Sequence, residues 1–314
     1  MLDLQLDAMT KAAHAAGLPD LADLPPPASR ALYRQILAAA DRPAVDVLVE
    51  AHEIPPTART PQLGARVYRP RAAGPHALVL YFHGGGYVLG DLDGYDSVCR
   101  QLCEDSGAVV ASIDYRLAPE HPFPAAIDDA WAALQWGARV AAALGADPAR
   151  LAVAGDSAGA VLATVAAIVA RDAGGPAIAF QALLYPPAAG GHDGDYPSRA
   201  AHAAGPTLTR RTMDYFSALF FGAAARAPDF RAAPLMAPQL SGLPPALLLL
   251  ASHDPLRDEA LAYGQALLAA GTPATIVEYH GLAHGFISMA GAIGAARLAQ
   301  RQFGQALRDA LAPR

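Results

Sequence analysis

The chain has 314 residues, 53% of them hydrophobic and 17% charged, which is ample for a large core in one sizeable domain and argues against disorder. A net charge of -6 argues against the basic face that a nucleic acid or an anionic membrane surface would need. The two cysteines, Cys99 and Cys103, lie one helical turn apart and cannot build a disulfide framework or a metal centre, so they read as free packing thiols of a cytosolic protein. The start, Met1-Leu2-Asp3-Leu4-Gln5-Leu6-Asp7, lacks a basic stretch followed by an apolar one, so no secretory leader is expected and the expected location is cytoplasmic; no apolar run reaches membrane-spanning length.

Residues 1 to about 43 carry helical patterns and precede any strand. Val45–Val49 and Gly64–Tyr68 alternate apolar and polar residues, as antiparallel edge strands do. Strands are then predicted at Ala77–Phe82, Ala108–Ile113, Leu151–Ala154, Ile178–Tyr185, Ala246–Ala251 and Thr275–Tyr279. Helical patterns fall between or after them, near Tyr95–Glu104, Ala125–Ala143, Ala158–Arg171, Arg257–Ala270 and Ala292–Leu311. Continuously apolar strands alternating with helices predict an α/β fold whose mostly parallel central sheet is covered by helices on both faces. The stretch from Pro187 to about Pro238 interrupts this rhythm, and an insertion of that length in a compact domain is usually functional. Within it Met213, Phe216 and Phe220 recur at helical spacing, forming an apolar face that packs as ordinary core, as a lid over a site beneath, or as both.

Gly155-Asp156-Ser157-Ala158-Gly159 directly follows the apolar run Leu151–Ala154 and opens the helical stretch after it, which is the strand-turn-helix setting of a G-x-S-x-G nucleophile elbow. A serine hydroxyl is a weak nucleophile unless a base takes its proton, and the base needs an acid to hold its tautomer. In this pattern the three follow in the order Ser, acid, His. Asp254 comes at the end of the strand ending at Ala251, whereas Asp258 and Glu259 fall inside the next helix and Asp156 is too close to Ser157 to reach the far imidazole nitrogen. Of ten histidines, His284 lies in a glycine-flanked loop after the last strand. His253 and His280 are its nearest rivals; His14, His52, His76, His121, His192 and His202 lie outside the strand-end loops that matter. In His83-Gly84-Gly85-Gly86-Tyr87, at the end of the strand Ala77–Phe82, three consecutive glycines leave no side chain to block N–H groups turned toward an oxyanion. His83 reads as a residue that pins this loop, and the charged residues of Asp114–Ala126 as braces for the catalytic loops.

These motifs resemble the hormone-sensitive-lipase-like carboxylesterases, the bacterial family IV. They are His83-Gly84-Gly85-Gly86, the run Asp114–Ala126, Gly155-Asp156-Ser157-Ala158-Gly159, Leu184-Tyr185-Pro186, Asp254-Pro255-Leu256-Arg257-Asp258-Glu259 and His284-Gly285-Phe286. The resemblance runs from about residue 40 to the C-terminus. It departs at Ala160 and Ala260, where the family commonly has glycine. It implies an α/β-hydrolase core, a triad of Ser157, Asp254 and His284, and an oxyanion hole of the Gly85, Gly86 and Ala158 N–H groups. It also implies a helical cap from about 1–43 and 187–238. The implied reaction is hydrolysis of short-to-medium acyl esters through an acyl-enzyme, with no metal or cofactor, and with Tyr87, Val88, Leu89, Tyr185, Phe216 and Leu282 as pocket walls. A homodimer is expected by analogy. An amidase, a carbamate hydrolase or an acyltransferase would use the same machinery, whereas a small-molecule receptor on this fold would lack an intact triad.

Overall fold

The computed structural model describes residues 1–190, 194–222 and 229–313. The chain begins with helix α1 (Leu4–Ala15), started by Asp3, whose carboxylate accepts from the N–H groups of Gln5 and Leu6, and continues with α2 (Pro26–Ala39). Two antiparallel strands follow, β1 (Leu48–Ile54) and β2 (Leu63–Arg69), and then the alternation predicted from the apolar runs. Its elements are β3 (His76–Phe82), α3 (Asp96–Ser106), β4 (Val109–Asp114), α4 (Ala125–Val140), β5 (Ala146–Asp156), α5 (Ala158–Ala173) and β6 (Phe180–Leu184). After the insertion, which contributes α6 (Pro197–Ala201) and α7 (Arg210–Phe221), come β7 (Ala246–His253), α8 (Arg257–Ala269), β8 (Ala274–Ala283) and α9 (Gly294–Ala310).

The eight strands form one sheet in the order β1-β2-β4-β3-β5-β6-β7-β8. β2 runs antiparallel to both neighbours and all other pairs are parallel. Two apolar layers cover its faces: α4, α5 and α8 pack around Leu80, Phe82 and Val153 on one side, and α3 and α9 around Tyr81, Ala154 and Leu249 on the other. Burial on both faces is why the central strands read as continuous apolar runs.

The edge departs from expectation. β1 begins at Leu48 and runs to Ile54, beyond the predicted Val45–Val49. An edge strand with mostly exposed side chains has no apolar run to mark it; its register is set by pairing, with Leu48 opposite Arg69, and by an ion pair between Arg69 and Glu50. β5 and β8 also run longer than their apolar stretches, β5 starting at Ala146 and β8 continuing to Ala283.

The loop from β4 to α4 is held by an ion pair whose carboxylate is buried. Arg116 Nε and Nη2 donate to the Asp129 carboxylate at 2.7–3.0 Å, the Arg116 N–H donates at 2.8 Å, and Asp129 is fully buried. Removing one partner leaves the other charge buried and unpaired, so Arg116→Met is expected to cost about 3 kcal/mol of unfolding free energy, read as a lower urea midpoint. A midpoint unchanged within error would show that water reaches Asp129.

The turn Leu21–Asp23 that precedes α2 meets helix α7. Tyr215 on α7 donates to the Leu24 carbonyl at 3.0 Å, Arg211 pairs with Asp23, and the α7 N-cap Thr209 and Thr212 reach Asp20. The α7 face carrying Met213 and Phe220 is buried. α1 instead lies on the sheet-and-helix core beside the last strand, where the Asp3 N–H donates to the Gly281 carbonyl and Leu6 is buried. Residues 191–193 and 223–228 of the insertion, His192 among them, lie outside the described residues.

Candidate active site

Strand β5 ends at Asp156, and Ser157 turns the chain directly into α5 with φ 54° and ψ -122°. A side chain in that region is strained, and the turn persists because the surrounding packing imposes it. Gly159 shows how: a Cβ there would collide with the Phe82 carbonyl oxygen of β3, so only glycine lets α5 start this close to the sheet. Tyr87 (φ 64°) and Tyr185 (φ 38°) are the other non-glycine residues with positive φ among the described residues, and both stand at strand ends around Ser157.

Ser157 is joined to two distant loops. His284, just after β8, places Nε2 2.8 Å from Ser157 Oγ and Nδ1 2.7 Å from Asp254 Oδ2, just after β7. A carboxylate only accepts, so Nδ1 carries the ring proton and Nε2 faces the hydroxyl as an acceptor. Asp254 is fully buried, and its other oxygen accepts from the Leu256 N–H at 2.8 Å. Ser157 is 8% and His284 9% exposed, and the Tyr185 ring packs on the imidazole at 4.6 Å between centroids. The order Ser, Asp, His is thus brought into one hydrogen-bonded line, while His253 and His280 stay outside it. His280 is largely exposed beside Glu278.

The glycine loop lies across the elbow from this line. Its internal turn bonds run from the N–H groups of Val88 and Leu89 to the Gly85 carbonyl, leaving the Gly85 and Gly86 N–H groups outside that turn. Ala158 opens α5, where first-turn N–H groups have no acceptor within the helix. His83 does pin the loop: its Nδ1 lies 2.8 Å from the Gly84 carbonyl, and its ring stacks on Tyr115 at 4.4 Å between centroids. Tyr115 in turn donates to the His83 carbonyl at 2.7 Å. From the run Asp114–Ala126, Glu120 pairs with Arg30 on α2, and the same guanidinium donates to the carbonyls of Val88 and Ala118.

Asp156 is the residue that sequence reasoning passed over. Its carboxylate turns away from the imidazole and accepts from the Gly84 N–H at 2.8 Å and from the hydroxyls of Tyr81 at 2.8 Å and Tyr95 at 3.2 Å. It fixes the glycine loop to the elbow. Burial pushes its pKa up to about 6 against the opposing pull of these donors. Burial also holds His83 down at about 4.

The two groups act in opposite directions on acidification. The unfolded chain protonates His83 near its ordinary 6.5 while the folded protein resists until about 4, so stability is lost as pH falls between those values. Folded Asp156 takes up its proton near 6 and the unfolded chain only near 3.8, so stability is gained over that interval. Each contribution amounts to at most about 3 kcal/mol. Asp156→Asn removes the compensating one, so its urea midpoint is expected to fall more steeply than the wild type's between about pH 6 and 4. Parallel profiles would show that Asp156 does not titrate there.

The expected pocket walls are placed unequally. Tyr87 stacks on Phe220 of α7 at 3.9 Å, and Val88 and Leu89 pack beneath Phe216, whose ring lies against Gly86. Leu282 is buried in the core on the α9 side. Clefts lined by Arg59, Asp128 and Trp131, and by Arg69, Arg71 and His76, lie elsewhere and hold none of Ser157, Asp254 and His284. Among the described residues no group of three or more His, Cys, Asp or Glu is arranged to hold a metal ion, and no helix is long and apolar enough to cross a membrane. Cys99 and Cys103 are free and buried in α3, and burial pushes both thiols up.

Residues 79–288 match the family model described as alpha/beta hydrolase fold. The chain is 46% identical over 253 residues to the esterase LipI of Mycobacterium tuberculosis, covering 79% of this chain and 78% of that one. It is 38% identical over 235 residues to an ethyl acetate hydrolase of Pseudomonas putida, covering 72% of each. Among solved structures, a thermostable esterase from Pseudomonas putida superposes with a TM-score of 0.94 at 34% identity, over 100% of this chain and 98% of that one. A hyperthermophilic esterase from Pyrobaculum calidifontis gives 0.91 at 39%, over 99% of both. The chain belongs to the hormone-sensitive-lipase-like carboxylesterases of the α/β-hydrolase superfamily.

Proposed function

We propose that this carboxylesterase hydrolyses short-to-medium acyl esters of small molecules in two steps at Ser157. In the first, Ser157 Oγ bonds to the acyl carbon while His284 Nε2 takes its proton, and the carbonyl oxygen becomes an oxyanion held by the N–H groups of Gly85, Gly86 and Ala158. The carbon–alkoxy bond then breaks, and His284 returns the proton to the departing alcohol. In the second step, water loses a proton to His284 and attacks the acyl-enzyme, which releases the acid and restores the serine hydroxyl. Asp254 keeps the imidazole in the tautomer that accepts from serine and stabilises the imidazolium that forms.

The observation that carries this reading is the unbroken line from Ser157 Oγ through His284 to Asp254, at 2.8 and 2.7 Å. The preference for modest acyl groups is supported by the tight cover over the site. Phe216 of helix α7 lies against Gly86 and packs with Leu208, Met213 and Leu256, and little of Ser157 is left exposed. We assign α2, the 3-10 turn Leu21–Asp23 and the insertion as a cap over the strand ends, with Tyr87, Val88, Leu89, Tyr185 and Phe216 nearest the acyl group. A series of p-nitrophenyl esters of increasing acyl length, run beside Ser157→Ala, tests both parts. Activity should be greatest on short-to-medium chains, and an organophosphate should add once per chain, at Ser157. A wild type that releases no nitrophenol and forms no adduct sinks the reading.

A further inference from the structure

Two of the three triad side chains stand on loops after different strands, and one insertion segment reaches both loops. On α6, the Ser198 hydroxyl donates to the Pro255 carbonyl at 2.9 Å and accepts from the Asp258 N–H at 3.1 Å, while the Ser198 N–H donates to Asp258 Oδ2 at 2.8 Å. The neighbouring Arg199 forms an ion pair with Glu259 in which both partners are buried. Arg199 also donates to the Gly194 carbonyl at 3.2 Å and lies over the Tyr196 ring at 4.8 Å. The His202 ring at the end of α6 sits 5.5 Å from that of His253, the residue before the catalytic acid. Five residues on, Thr207 Oγ1 donates to the backbone carbonyl of His284 at 2.8 Å. Leu208 and Met213 then pack on Leu256, two residues beyond Asp254.

We infer that the segment Ser198–Thr207 is a positioning element for the triad, in which Thr207 holds the backbone of His284 while Ser198 and Arg199 hold the loop that carries Asp254. The inference rests on the triad reading above and adds to it that the cap sets the rate of the chemical steps as well as access. The physical reason is the tolerance of the site. A nucleophile, base and acid in line must be held to within a fraction of an ångström, and loops provide that only when side chains lock them. A buried Arg–Glu pair is a costly way to gain stability, because apolar residues of the same size would do as well or better. Here it fixes one register between α6 and the first turn of α8.

The test separates positioning from lining. Thr207→Val keeps the shape and removes the hydroxyl; kcat for a p-nitrophenyl ester is expected to fall by about ten- to a hundredfold while KM changes by less than about twofold. Thr207→Ser, which restores the donor, should return kcat to within about threefold of the wild type. Ser198→Ala should show the same split through the other arm. A second readout does not depend on turnover: the low-field proton resonance of the His284 Nδ1–H bond to Asp254 should broaden or shift in Thr207→Val and recover in Thr207→Ser. A rise in KM at constant kcat, equal losses in the valine and serine variants, or an unchanged resonance would overturn the inference and leave Thr207 a pocket wall. If the wild type turned over no ester yet its resonance responded to Thr207, the hydrolase reading would fail and the positioning would stand.

Discussion

Ser157→Ala is expected to lower kcat on a p-nitrophenyl ester by about six orders of magnitude, the scale on which removing a triad nucleophile acts in serine hydrolases. The size follows from the absence of a substitute. The hydroxyl lies 2.8 Å from His284 Nε2 at the start of α5, and the neighbouring Asp156 has its carboxylate committed to Gly84, Tyr81 and Tyr95. Without Oγ the path through an acyl-enzyme is closed. What remains is water attacking an ester held by the oxyanion hole proposed above, and in other triads that leaves about 10³–10⁴-fold over the uncatalysed rate. The variant should keep the wild-type melting temperature and bind no organophosphate, with mass spectrometry reading the missing adduct. Turnover within tenfold of the wild type would place the nucleophile elsewhere.

Asp254→Asn is expected to cost about four orders of magnitude in kcat with little change in KM. Its direction comes from the hydrogen bonds on each oxygen. Oδ1 accepts from the Leu256 N–H, so an asparagine amide would keep its oxygen there and turn its NH2 group toward His284 Nδ1. A donor facing Nδ1 selects the tautomer with the proton on Nε2, and that nitrogen then donates to Ser157 where it should accept. The geometry survives and the base does not. Asp254→Ala should do comparable damage while also leaving a cavity at a fully buried position. Near-wild-type kcat in the asparagine variant would move the acid role to another residue.

Much of this was legible because the chemistry is written in local runs. Each of Ser157, Asp254 and His284 sits within a few residues of the end of an apolar strand, and the glycines of His83–Gly86 mark a loop that must leave its backbone bare. The central strands were readable because burial on both faces demands apolar residues throughout. β1 was misplaced because an exposed edge strand carries no such demand, and its register depends on Arg69 and Glu50 across the pair. The pocket walls were harder still. Val88 and Leu282 look alike as apolar residues after strands, yet one lies beneath the α7 ring of Phe216 and the other against α9.

Short-range patterns in the chain were enough to give the class of fold and to put Ser157, Asp254 and His284 at strand ends in that order along the sheet. All of these follow from short-range patterns in which each residue type has a chemical reason to be where it is. Only the tertiary structure decided what holds the machinery in place. Asp156 fixes the glycine loop through the Gly84 N–H and is itself held by tyrosines on β3 and before α3, Arg30 reaches 90 residues along the chain to Glu120, and Thr207 reaches 77 residues to His284. Such partners have no spacing signature, because a hydrogen bond depends on distance in space and the packing of the sheet and cap brings these atoms together.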